Sequence, residues 1–105
     1  MKTDTISKYD LKIPEDYQEV NFKPVFTDMK NLYKCVVDNY AEHEELQYVV
    51  SDSGWNTVVL HHTSGSTIYI DEDDGIEIQG TRRAINDARA SLELLTRWNL
   101  EEVLQ

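Results

Sequence analysis

The clearest hydrophobic pattern in the chain is a helical stripe within residues 27–42. Six apolar side chains recur there at the spacing of one helix face. They are Met29, Leu32, Tyr33, Val36, Val37 and Tyr40. Thr27 precedes the stripe and is a residue type that caps helix N-termini. The pattern therefore predicts an amphipathic helix from Thr27 to Glu42.

After residue 46 the pattern changes to the alternation that is typical of β-strands. Four short runs are rich in β-branched and aromatic residues, and turn-forming residues separate them. The runs are residues 47–50, 55–62, 67–71 and 76–79. The intervening segments, residues 51–54, 63–66 and 72–75, suit short hairpin connections. This arrangement predicts a four-stranded antiparallel meander.

A second helical stripe follows the strands. Gly80 is expected to end the sheet, and Thr81 has the side chain of an N-cap. The stripe consists of Ala84, Ile85, Ala88, Leu92 and Leu95. Asn99 then resembles a new cap, so Leu100, Val103 and Leu104 are predicted to form a short terminal helix.

The first 26 residues have the least regular pattern. Tyr9, Leu11 and Ile13 alternate with polar residues, as in a short strand or an extended arm. Pro24 disfavours a long helix nearby. The sequence leaves open whether residues 1–26 form an extra strand or a loose arm, while residues 27–105 form the core. It predicts a single α+β domain over residues 1–105, a four-stranded antiparallel meander with two amphipathic helices packed on one face.

Composition narrows the class of protein. The chain has 105 residues, of which 40% are hydrophobic, so it is not disordered by composition. No stretch approaches the roughly 18 apolar residues of a membrane span, and the polar residues 1–5 lead into no secretory signal. The single cysteine, Cys35, suggests a small buried apolar residue in a reducing compartment. We therefore expect a cytoplasmic protein.

Charge is concentrated in the middle of the chain. The net charge is -10, from 20 acidic and 10 basic residues. No Lys or Arg occurs from Cys35 through Thr81, and this segment carries half of the acids. They are Asp38, Glu42, Glu44, Glu45, Asp52, Asp71, Glu72, Asp73, Asp74 and Glu77. Solubility alone favours a net charge, but mixed signs serve it equally well. An acidic surface repels nucleic acid and anionic membranes and attracts basic surfaces.

Catalytic and metal-binding patterns are almost absent from the sequence. His61 and His62 are neighbours on a predicted strand, so they point to opposite faces and do not share a metal. His43 stands apart, and all three are expected to be ordinary surface or sheet-edge histidines. Residues 71–77 resemble a calcium loop, but Gly75 falls at the fifth position instead of the sixth. We therefore expect no catalytic residue, metal or cofactor, and no enzyme.

The acids instead suggest a recognition surface. Carboxylates along a strand recur at about 3.3 Å per residue, or twice that on one face. Backbone phosphates of one nucleic-acid strand are spaced on the same order, by about 3.4 Å along the helix axis. The predicted partner-binding residues are Glu42, Glu44, Glu45, Asp71, Glu72, Asp73, Asp74 and Glu77. Tyr48, Trp55 and Tyr69 would add aromatic anchors if they lie on the sheet face away from the helices.

Part of the chain resembles the small acidic phage anti-CRISPR proteins that inhibit type I surveillance complexes as DNA mimics. The resemblance covers residues 51–93 and includes residues 58–60, residues 63–67 and Tyr69. It continues through the acids at 71–74 and the helical residues 87–91. The helix-sheet-helix order is also similar. The departure is the second helix, which is acidic in that family and here carries four arginines: Arg82, Arg83, Arg89 and Arg97.

The resemblance implies an α+β inhibitor that occupies the DNA-binding groove of a CRISPR effector in the host cytoplasm. The four arginines confine any mimicry to the sheet and the end of the first helix. From the charge distribution and the resemblance together, we expect an acidic decoy that binds a basic nucleic-acid-binding protein or complex, without contacting nucleic acid or membrane itself. The alternative is an immunity protein or antitoxin that neutralises a basic nuclease or toxin.

Overall fold

Six strands and two α-helices make up the part of the fold that the structure describes. The computed structural model describes residues 16–52 and 57–103, except for the side chains of residues 48–52. The elements are β1 (Tyr17–Pro24), α1 (Met29–Asn39), β2 (Leu46–Asp52), β3 (Thr57–His62), β4 (Thr67–Asp71), β5 (Gly75–Thr81), α2 (Arg82–Thr96) and β6 (Leu100–Glu102). The predicted α+β class is confirmed, whereas the sheet has six strands instead of four.

All strands pair antiparallel, in the order β2-β3-β4-β5-β1-β6. The predicted meander is present as β2 to β5, and β1 and β6 extend it beyond β5. Val20 of β1 lies opposite Ile78 of β5, and Pro24 lies opposite Leu100 of β6. Residues from both ends of the described chain therefore complete one sheet.

One face of the sheet forms the hydrophobic core. Along β3, β4 and β5, alternate side chains are almost fully buried: Val58, Leu60, Ile68, Ile70, Ile76 and Ile78. The same core contains Leu32 and Val36 of α1 and Ile85, Ala88 and Leu92 of α2. Both helices thus cover the same face, as the two apolar stripes require. The opposite side of the sheet, here called the open face, is not covered by either helix.

Helix α1 is shorter than predicted. Its N-cap is Asp28, whose Oδ1 accepts a hydrogen bond from the Asn31 amide at 2.8 Å. Thr27, the predicted cap, accepts instead from the Asn31 side chain at 3.2 Å. At the other end, Tyr40–Glu42 form a 3₁₀ turn. The α-helical segment thus begins two residues after Thr27 and ends three residues before Glu42.

Helix α2 begins as predicted, because the Thr81 hydroxyl accepts from the Ala84 amide at 3.1 Å. It ends at Thr96, and the C-cap residue Arg97 adopts a left-handed conformation with φ of 68°. Gly80 does not end the sheet, since β5 continues to Thr81 opposite Tyr17.

The predicted terminal helix is wrong. Residues 100–102 form β6 instead, because Leu100 is buried beside β1 and its amide donates to Glu93 Oε2 at 2.7 Å. A further bond joins the Val103 amide to the Asn21 carbonyl at 2.8 Å. Pairing with β1 satisfies backbone groups that a short isolated helix would leave to solvent.

Several sequence predictions fall at or beyond the limits of the described residues. The alternating residues 9–13 and the predicted strand start at Trp55 lie outside them. Ser51 and Asp52, which were assigned to a turn, belong to β2. Within the first 26 residues, Tyr17–Pro24 form a strand of the central sheet.

Candidate acidic binding surfaces

Seven of the eight predicted partner-binding acids lie at opposite ends of the sheet, and the eighth, Glu77, lies on β5 opposite Tyr69 in the middle of β4. Leu46 at the start of β2 pairs with His62 at the end of β3, which places Glu42, Glu44 and Glu45 beside one end. Residues 71–74 close the β4–β5 hairpin at the other end. Strand β4 has five residues and separates the two ends by about 16 Å. We call them the helix-end cluster (Glu42, Glu44 and Glu45) and the hairpin cluster (Asp71, Glu72, Asp73, Asp74 and Glu77).

Asp71 has a structural role within the hairpin cluster. Its Oδ1 accepts from the amides of Asp73 and Asp74 at 2.8 Å each. Its Oδ2 accepts from the Thr57 hydroxyl of β3 at 2.6 Å. The Thr57 hydrogen bond is the main reason that the pKa of Asp71 lies below its usual value, and the two amides add to the effect. Asp71 therefore closes the turn that presents its neighbours.

We expect Asp71→Ala to lower the free energy of unfolding by about 1–3 kcal/mol, because it leaves two turn amides and one hydroxyl without their acceptor. Asp73→Ala, at an exposed position of the same turn, should change it by no more than about 0.5 kcal/mol. Urea denaturation of both variants measures the difference. Equal effects would show that Asp71 does not organise the turn.

The remaining hairpin acids are available for intermolecular contacts. Asp73 and Asp74 are exposed, and Glu72 and Glu77 are partly exposed. Among residues 16–52 and 57–103, no ion pair involves any of these four. Their charges are therefore not neutralised within the described part of the protein.

A shallow cavity on the open face adjoins the hairpin cluster. It has a volume of about 160 Å³ and is lined by Asn21, Tyr69, Asp71, Asp74, Gly75, Ile76 and Glu77. Tyr69 lies on the open face between Val59 of β3 and Glu77 of β5. Of the three proposed aromatic anchors, Tyr69 thus lies beside the acids. The side chains of Tyr48 and Trp55 are outside the described residues.

The basic residues of the described chain lie elsewhere or are paired. Lys23 contacts Glu101 at 3.5 Å, and Arg82 contacts Glu102 at 3.0 Å. Arg89 lies 3.7 Å from Glu93 and over the ring of Phe22. The exposed bases without an ion pair among the described residues are Lys30, Lys34, Arg83 and Arg97, which flank or belong to α1 and α2. Lys23 lies on the open face, since it alternates with the buried Phe22 and Pro24 of β1, but it is paired with Glu101. Unpaired positive charge of the described chain therefore lies on the helical side.

At the other end of the sheet, His62 is buried, although the sequence suggested a surface or sheet-edge histidine. It is 5% exposed, while its neighbour His61 is exposed on the opposite face. The alternation of Val58 and Leu60 assigns position 62 to the core face. This two-residue alternation along the strand is the sequence signal that identifies His62 as buried.

Both ring nitrogens of His62 have partners. Its Nδ1 accepts from the Ser64 amide at 3.0 Å, so the proton of the neutral ring is on Nε2. Nε2 lies 2.7 Å from Ser91 Oγ, which donates to Glu45 Oε1 at 2.9 Å. In this tautomer His62 donates to Ser91 and does not act as a base toward it. The network joins the β3–β4 turn, α2 and the start of β2.

The environment of His62 lowers its pKa. Burial is the largest cause, and His43 adds to it, whereas the carboxylates of Glu45 and Asp87 act in the opposite direction. The neutral ring also suits the hydrogen bond from the Ser64 amide, which a protonated Nδ1 would lose.

This lowered pKa predicts acid sensitivity. The unfolded chain binds a proton at His62 near pH 6.5 and the folded chain only at lower pH. The free energy of unfolding should therefore fall as the pH drops below about 6.5, by at most about 1.4 kcal/mol per pH unit. Urea denaturation between pH 7 and pH 5 should show this slope in wild type and in His61→Gln. A variant His62→Gln with an unchanged slope would contradict the assignment.

The described residues show few other candidate sites. Among them, no group of three or more His, Cys, Asp or Glu side chains is placed to hold a metal ion. Cys35 is a half-buried free thiol on α1. Neither α1 nor α2 has the length and apolar character needed to cross a membrane. No protein-family model, curated protein or solved structure matches this chain.

Proposed function

We propose that the protein acts by binding, as an acidic inhibitor or decoy that occupies the nucleic-acid-binding groove of a basic partner. The partner class that fits the resemblance is a CRISPR effector complex. The observation that supports the proposal is that strands β2 to β5 and their connections contain no Lys or Arg. The charge of this region is therefore negative, and the exposed acids of the hairpin cluster have no ion-pair partner among the described residues.

The hairpin cluster and the open face form the main contact surface in this proposal. Asp73 and Asp74 lie at the hairpin tip, Glu77 follows on β5, and Glu19 lies on β1 opposite Gln79. Carboxylates on a hydrogen-bonded sheet are held at strand spacing before binding, which reduces the entropy lost on association. Their common sign would steer a basic groove toward this side.

The positive charges indicate which side does not form the principal contact with the partner. Lys30, Lys34, Arg83 and Arg97 are exposed on or next to the helices, where they would repel a basic groove. We therefore assign the principal contact to the hairpin cluster. The helix-end cluster, about 16 Å away at the other end of β4, is a second contact with the same partner.

The test is affinity capture from host lysate at low and high salt, with the captured proteins identified by mass spectrometry. The proposal predicts recovery of a nucleic-acid-binding protein or complex at low salt, with reduced recovery at high salt or with competing DNA. Recovery of one basic nuclease or toxin would instead identify an immunity protein or antitoxin. Capture of nothing basic at either salt would contradict both.

A further inference from the structure

A surface cavity of about 300 Å³ lies where the helix-end cluster meets α2. Its lining residues come from the start of β2, the β3–β4 turn and one face of α2: Glu45, His62, Thr63, Ser64, Asp87, Ala90, Ser91 and Leu94. Its volume is at the lower end of the range for small-molecule pockets. A cavity of this size suits one long side chain or a small ligand.

The floor of the cavity is buried and polar. Ser91 is 3% exposed and His62 5% exposed, and their hydrogen-bonded network holds Oε1 of Glu45. No described residue donates to the second carboxylate oxygen of Glu45. The side chain of Glu45 is 52% exposed. One oxygen of a partly exposed carboxylate is therefore held in place while the other can accept from a ligand.

The carboxylates of the cavity have no Lys or Arg partner among the described residues, and the basic groups beside Glu45 Oε1 are ring nitrogens of His43 and His62, each 3.9 Å away. Asp87, which is exposed, makes no ion pair with any residue in the described ranges. No Lys or Arg lines the cavity, and His62 is in its neutral form. Glu45 and Asp87 together thus place two carboxylates around one opening.

The α2 side of the cavity also has an apolar part next to its carboxylates. Asp87, Ala90, Ser91 and Leu94 follow one another on a single face of α2. Leu94 is 70% exposed, among the most exposed large apolar side chains of the described chain. A carboxylate beside an exposed leucine suits a ligand that has a cationic head and an aliphatic stem.

We propose that this cavity receives an arginine side chain of the protein's basic partner. The guanidinium would bind the carboxylates of Glu45 and Asp87, and its aliphatic stem would pack on Leu94. Arginine is favoured over lysine because its planar fork can donate to two carboxylates at once. This inference rests on the proposed function, and it names the partner side chain that the helix-end cluster would bind.

The first test is titration with N-acetyl-arginine amide, followed by ¹H–¹⁵N NMR spectra. Saturable shifts should centre on the amides of Ser91 and Leu94, and N-acetyl-norleucine amide, which lacks the cation, should produce none. Asp87→Asn should weaken binding by roughly fivefold, as expected for the loss of one exposed ion pair. The matched control is Asp38→Asn, at an exposed carboxylate on α1 outside the cavity, which should bind as wild type does. Equal effects of the two variants, or shifts centred on the hairpin, would overturn the assignment.

The second test separates this inference from the proposed function. Asp87→Asn should reduce partner capture, while hairpin variants should leave the binding of N-acetyl-arginine amide unchanged. If hairpin variants abolish partner capture and Asp87→Asn has no effect, the cavity does not receive the partner but the proposed function stands. If the amide binds the cavity and wild type captures no basic partner, the proposed function fails and the assignment to a partner fails with it.

Discussion

Replacing Phe22 with alanine is expected to lower the free energy of unfolding by about 3–5 kcal/mol. Phe22 is 1% exposed on β1, which pairs with β5 on one side and β6 on the other. Its ring lies 5.4 Å from the guanidinium carbon of Arg89 on α2. The substitution removes an aromatic side chain from a site bordered by β5, β6 and α2, so the cavity left behind cannot readily collapse.

Phe26→Ala is the matched control for this prediction. Phe26 is 84% exposed in the connection between β1 and α1, and its loss should change the free energy of unfolding by about 0.5 kcal/mol or less. Thermal denaturation distinguishes the two, since Phe22→Ala should lower the Tm by roughly 12 °C or more. Similar Tm values for Phe22→Ala and wild type would mean that residues 17–24 are a loose arm and not part of the sheet.

Reversing the charge of the hairpin should abolish most of the partner binding. The variant carries Glu72→Lys, Asp73→Lys and Asp74→Lys, and keeps Asp71 because that side chain closes the turn. At about 1 kcal/mol for each lost exposed pair, the three substitutions amount to roughly 100-fold in Kd at low salt. Most of the loss should disappear at high salt, where exposed charges are screened.

Two single substitutions that change the net charge equally separate the contribution of the hairpin from the effect of total charge. Asp73→Lys and Asp38→Lys change the net charge equally, and both residues are exposed, but Asp38 lies on α1 away from the hairpin. Asp73→Lys should weaken the binding of the captured partner by roughly fivefold, and Asp38→Lys should have a smaller effect. Equal weakening would mean that the partner responds to net charge alone and that the hairpin has no special role.

Local patterns in the sequence predicted the elements whose contacts are local. Strand β4 has the predicted bounds, because Ile68 and Ile70 alternate strictly with polar residues and turn-forming segments flank them. The Thr81 cap was predicted for the same reason, since an N-cap acts within its own turn. Both apolar stripes pack on one side of the sheet, as their periodicity requires.

Features that depend on distant contacts were not predictable in this way. Strand β6 follows an asparagine that resembles a helix cap, and only pairing with β1, 76 to 80 residues earlier, makes it a strand. Pairing of this kind is not encoded in local propensity. The same limit applies to the candidate surface. Strand β4 separates the helix-end cluster from the hairpin cluster, so their placement at opposite ends depends on the sheet order and not on either segment alone.

Competition between this protein and nucleic acid for the captured partner distinguishes a decoy in the nucleic-acid groove from a protein that binds the partner elsewhere. The partner is bound to fluorescently labelled DNA, and fluorescence anisotropy is followed while the protein is added. We expect complete displacement of DNA by wild type and little displacement by the triple lysine hairpin variant. If wild type binds the partner while the DNA stays bound, the protein does not occupy the nucleic-acid groove, and the decoy function is contradicted.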